Sequence, residues 1–182
     1  MLRLSFRSLA SGLLPPKTAY KQALAALAVV LVAGCGGGAT RAETATVAGS
    51  VDGAGFRFEA PVGWKVTRTA RSVAAVSGAD LLSVTVFPLA RPYRPKLFAQ
   101  VSSELDRRIA DLAGELRGEL RSAGTAHVAG RRARVYELAV GDRVERLLFV
   151  FRGKLEFQLL CRYGDGRATR PCDRLAQTFT LA

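Results

Sequence analysis

Arg143-Val144-Glu145-Arg146-Leu147-Leu148-Phe149-Val150-Phe151 is the stretch that decides the fold. On an extended chain Val144, Leu148 and Val150 point one way and Leu147, Phe149 and Phe151 the other, so this strand is apolar on both faces and both must be covered. Runs of strand length flank it, Arg132–Val140 across Gly141-Asp142 and Leu155–Tyr163 across Arg152-Gly153-Lys154. Short turn-forming links between such runs make antiparallel neighbours, and residues 132–163 are expected to form a meander.

Working outward, Gly55-Phe56-Arg57-Phe58-Glu59-Ala60-Pro61-Val62-Gly63-Trp64 alternates apolar and polar side chains until Pro61-Val62-Gly63 interrupts it. Ser72–Ser77 and Leu81–Phe87 are two more apolar runs, separated by a hairpin-type break at Gly78-Ala79-Asp80. Pro88, Pro92 and Pro95 then end the sheet segment, and Pro95 suits the first turn of a helix. Phe98, Val101, Leu105, Ile109, Leu112, Leu116 and Leu120 recur every three or four residues, which predicts one long amphipathic helix closed by Gly124. Gly114 and Gly118 lie off the stripe and read as a locally weakened helix with a close packing contact, since Glu115, Arg117 and Glu119 exclude a membrane setting. With Pro171–Phe179 as a last helix, the expected fold class is α+β: an antiparallel sheet covered by helices on both faces.

The N-terminal end reads differently. Arg3, Arg7, Lys17 and Lys21 precede an unbroken small-apolar run, Ala23–Ala33, and no Asp or Glu occurs before Glu43. The run ends in Leu31-Val32-Ala33-Gly34-Cys35, which resembles the lipobox of bacterial lipoproteins. That resemblance implies cleavage behind Gly34 and a diacylglycerol on Cys35. The alternatives are an uncleaved anchor and a secretory signal with an incidental cysteine. The chain thus divides into a signal peptide, 1–34, a flexible Gly/Ala/Thr/Ser tether, 35–52, and a globular domain, 53–182. The expected location is the membrane, lipid-anchored and facing outside the cytoplasm.

Of the 27 basic residues, the four upstream cations leave with the leader, so 23 face 15 acidic ones in the remainder. Only Lys65, Lys96 and Lys154 there are lysines, and the arginine excess beside so much Ala, Gly and Val reads first as a compositional bias. No nucleic-acid partner is expected. A chain anchored outside the cytoplasm meets anionic headgroups and wall polyanions first. Cys161 and Cys172, with ten residues between them in an oxidising compartment, are read as a disulfide pinning the end of a strand to the start of the last helix. Two separate buried thiols are the alternative. Zinc is disfavoured because His127 is the only other ligand of that kind.

The domain resembles the PsbP-like family, α/β/α sandwiches found in an extrinsic photosystem subunit, a small nuclear-transport regulator and many bacterial lipoproteins. The carriers are Phe56-Arg57-Phe58-Glu59-Ala60-Pro61-Val62-Gly63-Trp64, then Val128-Ala129-Gly130-Arg131-Arg132-Ala133-Arg134-Val135-Tyr136, and Phe179. The resemblance implies an accessory or protein-interacting role outside the cytoplasm and transfers no active-site residue. Trp64 reads as a core anchor and Gly130 as a hinge before a strand.

The sequence offers no catalytic residue, metal site or cofactor motif. His127 is the single histidine and no G-x-S-x-G occurs. Glu137, Glu145 and Glu156 alternate with apolar neighbours and read as strand-face residues before they read as glycosidase carboxylates. Gly36-Gly37-Gly38 and Gly53-Ala54-Gly55 lack the context of a phosphate loop. Arg131, Arg132 and Arg134 form the densest basic cluster, an interaction patch in one reading and a solvated strand edge in the other. The leading functional reading is a non-enzymatic envelope accessory module with a protein partner. A carrier or sensor binding a small apolar or anionic ligand between helix and sheet comes second, and an enzyme third.

Overall fold

The computed structural model describes residues 44–46, 49–166 and 169–182. The signal segment, Cys35 and most of the tether lie outside the described residues. Within the stretch read as tether, two strands run: β1 (Thr44–Thr46) and β2 (Gly49–Gly53). They are followed by β3 (Phe56–Ala60), β4 (Lys65–Arg68), β5 (Ser72–Ser77) and β6 (Asp80–Pro88). Next come a 3-10 turn at Pro95–Leu97, helix α1 (Phe98–Glu115), β7 (Glu119–Val128), β8 (Arg131–Val140), β9 (Arg143–Arg152), β10 (Leu155–Gly164), helix α2 (Arg170–Thr178) and β11 (Thr180–Leu181).

An eight-stranded antiparallel sheet has the order β1-β4-β5-β6-β10-β9-β8-β7, and a three-stranded sheet the order β11-β3-β2. The expected meander is β8-β9-β10, and the expected hairpin is β5-β6. What joins them is β6 pairing with β10, Leu155 opposite Pro88 through Arg162 opposite Leu81.

Helices on both faces of the sheet, the arrangement expected from the sequence, is not what forms. The described residues are mostly β. Helix α1 lays Val101, Leu105, Ile109 and Leu112 on one face of the large sheet, above Tyr136, Leu147 and Phe149. The opposite face is covered by the small sheet together with α2, which contributes Cys172 and Leu175. The reason lies in β2 and β3, whose inward positions Val51, Phe56 and Phe58 are fully or almost fully buried. Phe56 stands 6.3 Å from Phe58, 6.2 Å from Phe157 of β10 and 6.0 Å from Phe179. A strand carrying two such rings on one side supplies a large apolar surface to the sheet beside the Cys172 and Leu175 of the nine-residue α2. Gly53 is part of the same packing, because a Cβ there would collide with the Phe56 ring.

The long helix also ends earlier than the apolar spacing predicts. Arg117 N–H donates to Gly114 O at 3.1 Å and Gly118 N–H to Ala113 O at 2.8 Å, with Arg117 at φ 52°. This is a Schellman stop with arginine in the left-handed position. A Cβ on Gly118 would lie 2.6 Å from Ala139 O, so the close contact expected at this glycine is real and belongs to the crossing into β7. Leu120 and Gly124 therefore sit on a strand, paired with Leu138 and Val135. Ladder pairing along β8 outweighs the weak helix preference of Gly118, Ser122, Gly124 and Thr125.

The Cys161–Cys172 disulfide is present, with Cα atoms 5.5 Å apart, tying β10 to the first turn of α2. Both cysteines are 1% exposed. Closing so short a loop stabilises by about 2–3 kcal/mol in the chain-entropy description. Replacing both with Ala should lower the denaturant midpoint accordingly, and an unchanged midpoint would remove the disulfide's stabilising role.

Candidate functional site

The three arginines singled out from the sequence do not form one surface. Strand alternation sends Arg132 and Arg134 toward the α1 face and Arg131 the other way. Arg134 donates from Nε to Asp106 Oδ1 at 2.9 Å, and Tyr136 OH donates to the same oxygen at 2.6 Å. Burial, reinforced by the bond to Asp106, pushes the Tyr136 hydroxyl pKa well up. Arg134 is thus occupied in holding β8 to α1. Arg132 remains exposed with its guanidinium 4.0 Å from the centre of the Phe98 ring, a cation–π contact at the start of α1.

Arg131 and Arg132 instead meet cations that the sequence reading left unassigned. Between β6 and α1 runs Leu89-Ala90-Arg91-Pro92-Tyr93-Arg94-Pro95-Lys96-Leu97. Leu89 N–H donates to Lys154 O at 2.8 Å and Tyr93 N–H to Gly153 O at 2.7 Å, so this loop is laid on the β9–β10 turn. The Tyr93 ring stacks on Phe151 with centroids 5.1 Å apart. Burial raises the Tyr93 pKa while the charges of Arg132 and Arg131 pull it down. Ala129 at φ 50° and Gly130 at φ 69° make the tight β7–β8 turn that presents Arg131 there. One end of the sheet thereby gathers Arg91, Arg94, Lys96, Arg131, Arg132 and Lys154, all exposed. Residues 88–98, 127–132 and 151–155 contain no Asp or Glu. The signal was legible: three cations interleaved with prolines between 88 and 96 are a preset cationic loop.

His127 is exposed on the edge strand β7, opposite Arg132. The three glutamates are dispersed. Glu137 accepts from Tyr163 OH at 2.9 Å on the face toward the small sheet. Glu145, on the α1 face, is buried against Arg162 at 2.6 Å, and burial raises its pKa although the arginine opposes that. Glu156 is fully buried, accepts from Gln158 Nε2 at 2.6 Å, and burial lifts its pKa to about 7. Glu145 pairs with Arg162, six residues along β10 from Glu156, which separates the two carboxyl groups by roughly 20 Å. Glycosidase carboxylates stand about 5–9.5 Å apart. Among the described residues no cluster of three His, Cys, Asp or Glu is placed to hold a metal ion, and no helix is long and apolar enough to cross a membrane.

Two clefts adjoin α2. One, of about 380 Å³, is lined by Trp64, Asp80, Tyr163, the disulfide, Arg170 and Pro171. The other, of about 330 Å³, lies between Ala60, Pro61, Val62, Arg170 and Arg174. Trp64 is half-buried at the rim of the core rather than at its centre. Between α1 and the sheet, where a carrier would need its cavity, stand the buried side chains of Tyr136, Leu138, Leu147 and Phe149.

No family model matches the chain, and no curated protein does. Solved structures do. The solution structure of cyanobacterial PsbP (CyanoP) from Synechocystis aligns at a TM-score of 0.55 over 82% of this chain and 98% of that one, at 16% identity. The fold is PsbP-like. A crystal structure of a Bacteroides thetaiotaomicron protein aligns at a TM-score of 0.50 and 11% identity, over 70% of this chain and 45% of that one. The chain thus spans under half the length of the Bacteroides protein and nearly all of the cyanobacterial PsbP.

Proposed function

We propose that this PsbP-like domain is a non-enzymatic accessory module of the cell envelope, held outside the cytoplasm by a lipid on Cys35 and acting through its surface on an envelope protein. The observation that carries the reading is the alignment with nearly the full length of cyanobacterial PsbP. A buried disulfide between β10 and α2 supports an oxidising compartment. The charge pattern Arg3–Lys21, the apolar run Ala23–Ala33 and the small residues before Cys35 support the anchor.

Cys35→Ser should accumulate as a precursor and lose fatty-acid labelling, read by radiolabel and intact mass. Full labelling of that variant would overturn the anchor. Crosslinking in the native envelope should capture a specific protein with the wild-type chain. Loss of the biological phenotype in a well-folded His127→Ala variant would overturn the non-enzymatic reading in favour of catalysis.

A further inference from the structure

We propose that the cationic end of the sheet, built from the 89–97 loop and the β7–β8 and β9–β10 turns, is a docking surface for an anionic phospholipid bilayer. The proposal rests on the reading of the chain as membrane-anchored, which supplies that surface within reach.

Many of the domain's other arginines are held in ion pairs, Arg134 with Asp106 being the nearest to this end. Arg57, Arg107, Arg121, Arg146 and Arg174 each face a carboxylate within 4.0 Å. Arg91, Arg94, Lys96, Arg131 and Lys154 take part in no ion pair among the described residues, and the three segments that carry them hold no acidic residue. Their positive charge is therefore met by no carboxylate in a direct ion pair, and an anionic partner complements it.

The cations are also held in place before binding. Pro88, Pro92 and Pro95 restrict the loop backbone, and the hydrogen bonds to Lys154 O and Gly153 O clamp it to the neighbouring turn. Little conformational freedom is then lost on contact. The charges come from three separated segments and line neither of the two clefts, which suits a many-point contact with a field of phosphates better than one enclosed anion. Residues near an anionic leaflet gain affinity one by one, at about fivefold per cation.

The test compares binding of the full chain to vesicles of phosphatidylcholine alone and to vesicles with about one third phosphatidylglycerol. The wild type should prefer the anionic vesicles, and the preference should collapse in about 0.5 M NaCl. Arg91→Gln, Arg94→Gln and Arg131→Gln together should cut it about a hundredfold. An equal charge change scattered over Lys65, Arg117 and Arg170 should cut it far less. Equal losses from both triples would reduce the effect to net charge and overturn the proposal. So would a wild type without lipid preference whose pole crosslinks to an acidic envelope protein. A lipid on Cys35 adds the same affinity to both vesicle types, so its absence by mass would refute the anchor while leaving the anionic preference readable.

Discussion

Glu156→Gln should stabilise the protein by on the order of 3 kcal/mol at about pH 8 and change it little at about pH 4. Glu156 is 0% exposed beneath α1, and Gln158 Nε2 donates to its Oε1. Its Oε2 and Gln158 Oε1 are both buried without a partner. Both are acceptors, so only a proton on Glu156 can supply a donor for this pair. Burial raises the folded-state pKa from 4.5 to about 7, against weaker opposition from Gln158 and Arg108. A carboxyl whose pKa is raised by folding favours the folded state at low pH. Its contribution is intact below 4.5, falls away as pH rises through the window up to about 7, and is a full penalty above that. Glutamine keeps the shape, never ionises and carries its own donor. The check is the difference in unfolding free energy between variant and wild type across pH, because hydrogen-bonded carboxylates such as Glu104 and Asp165, whose pKa values are lowered, slope the other way in both proteins. A difference independent of pH would show that Glu156 does not titrate in this range.

Phe56→Ala should cost about 3–5 kcal/mol, the range for removing a fully packed aromatic ring. Its ring, 2% exposed, touches Phe58 of its own strand, Phe157 of the large sheet and Phe179 after α2, and covers Gly53. It is the place where the small sheet is fastened to the large one. Hydrogen exchange should therefore quicken more in residues 49–60 and 180–182 than in β9 and β10, which lie in the interior of the eight-stranded sheet. Uniform acceleration would mean that the two sheets open as one unit.

The cationic end and the glutamates show how far a linear reading carries. Arg131, Arg132 and Arg134 are adjacent in sequence, yet alternation separates Arg131 from the other two, and Asp106, 28 residues away, occupies Arg134. Arg91, Arg94 and Lys96 are some 35 residues from Arg131 in the chain, and two backbone hydrogen bonds to the β9–β10 turn bring their loop to it. Glu156 looked like a strand-face glutamate because its neighbours alternate. Its place between Phe87 and Phe151, on the face of the sheet that α1 packs against, makes it a buried acid.

Local chemistry determined the parts of this protein that depend on neighbours a few residues apart. Period-two alternation with Gly-Asp and Gly-Lys turns specified β8-β9-β10, prolines placed the end of β6 and the start of α1, and two cysteines eleven apart specified their bond. Tertiary structure decided which surfaces meet. β6 joins β10 across about seventy residues, and Phe56 and Phe58 turn the chain ahead of the first expected strand into a second sheet. The helical stripe of α1 gives way to a strand at Glu119. An apolar pattern states that a face must be buried, and several partners can satisfy it. The partner that wins is the one that removes most apolar area from water while leaving no backbone group unpaired, and that comparison is made only when the whole chain is folded.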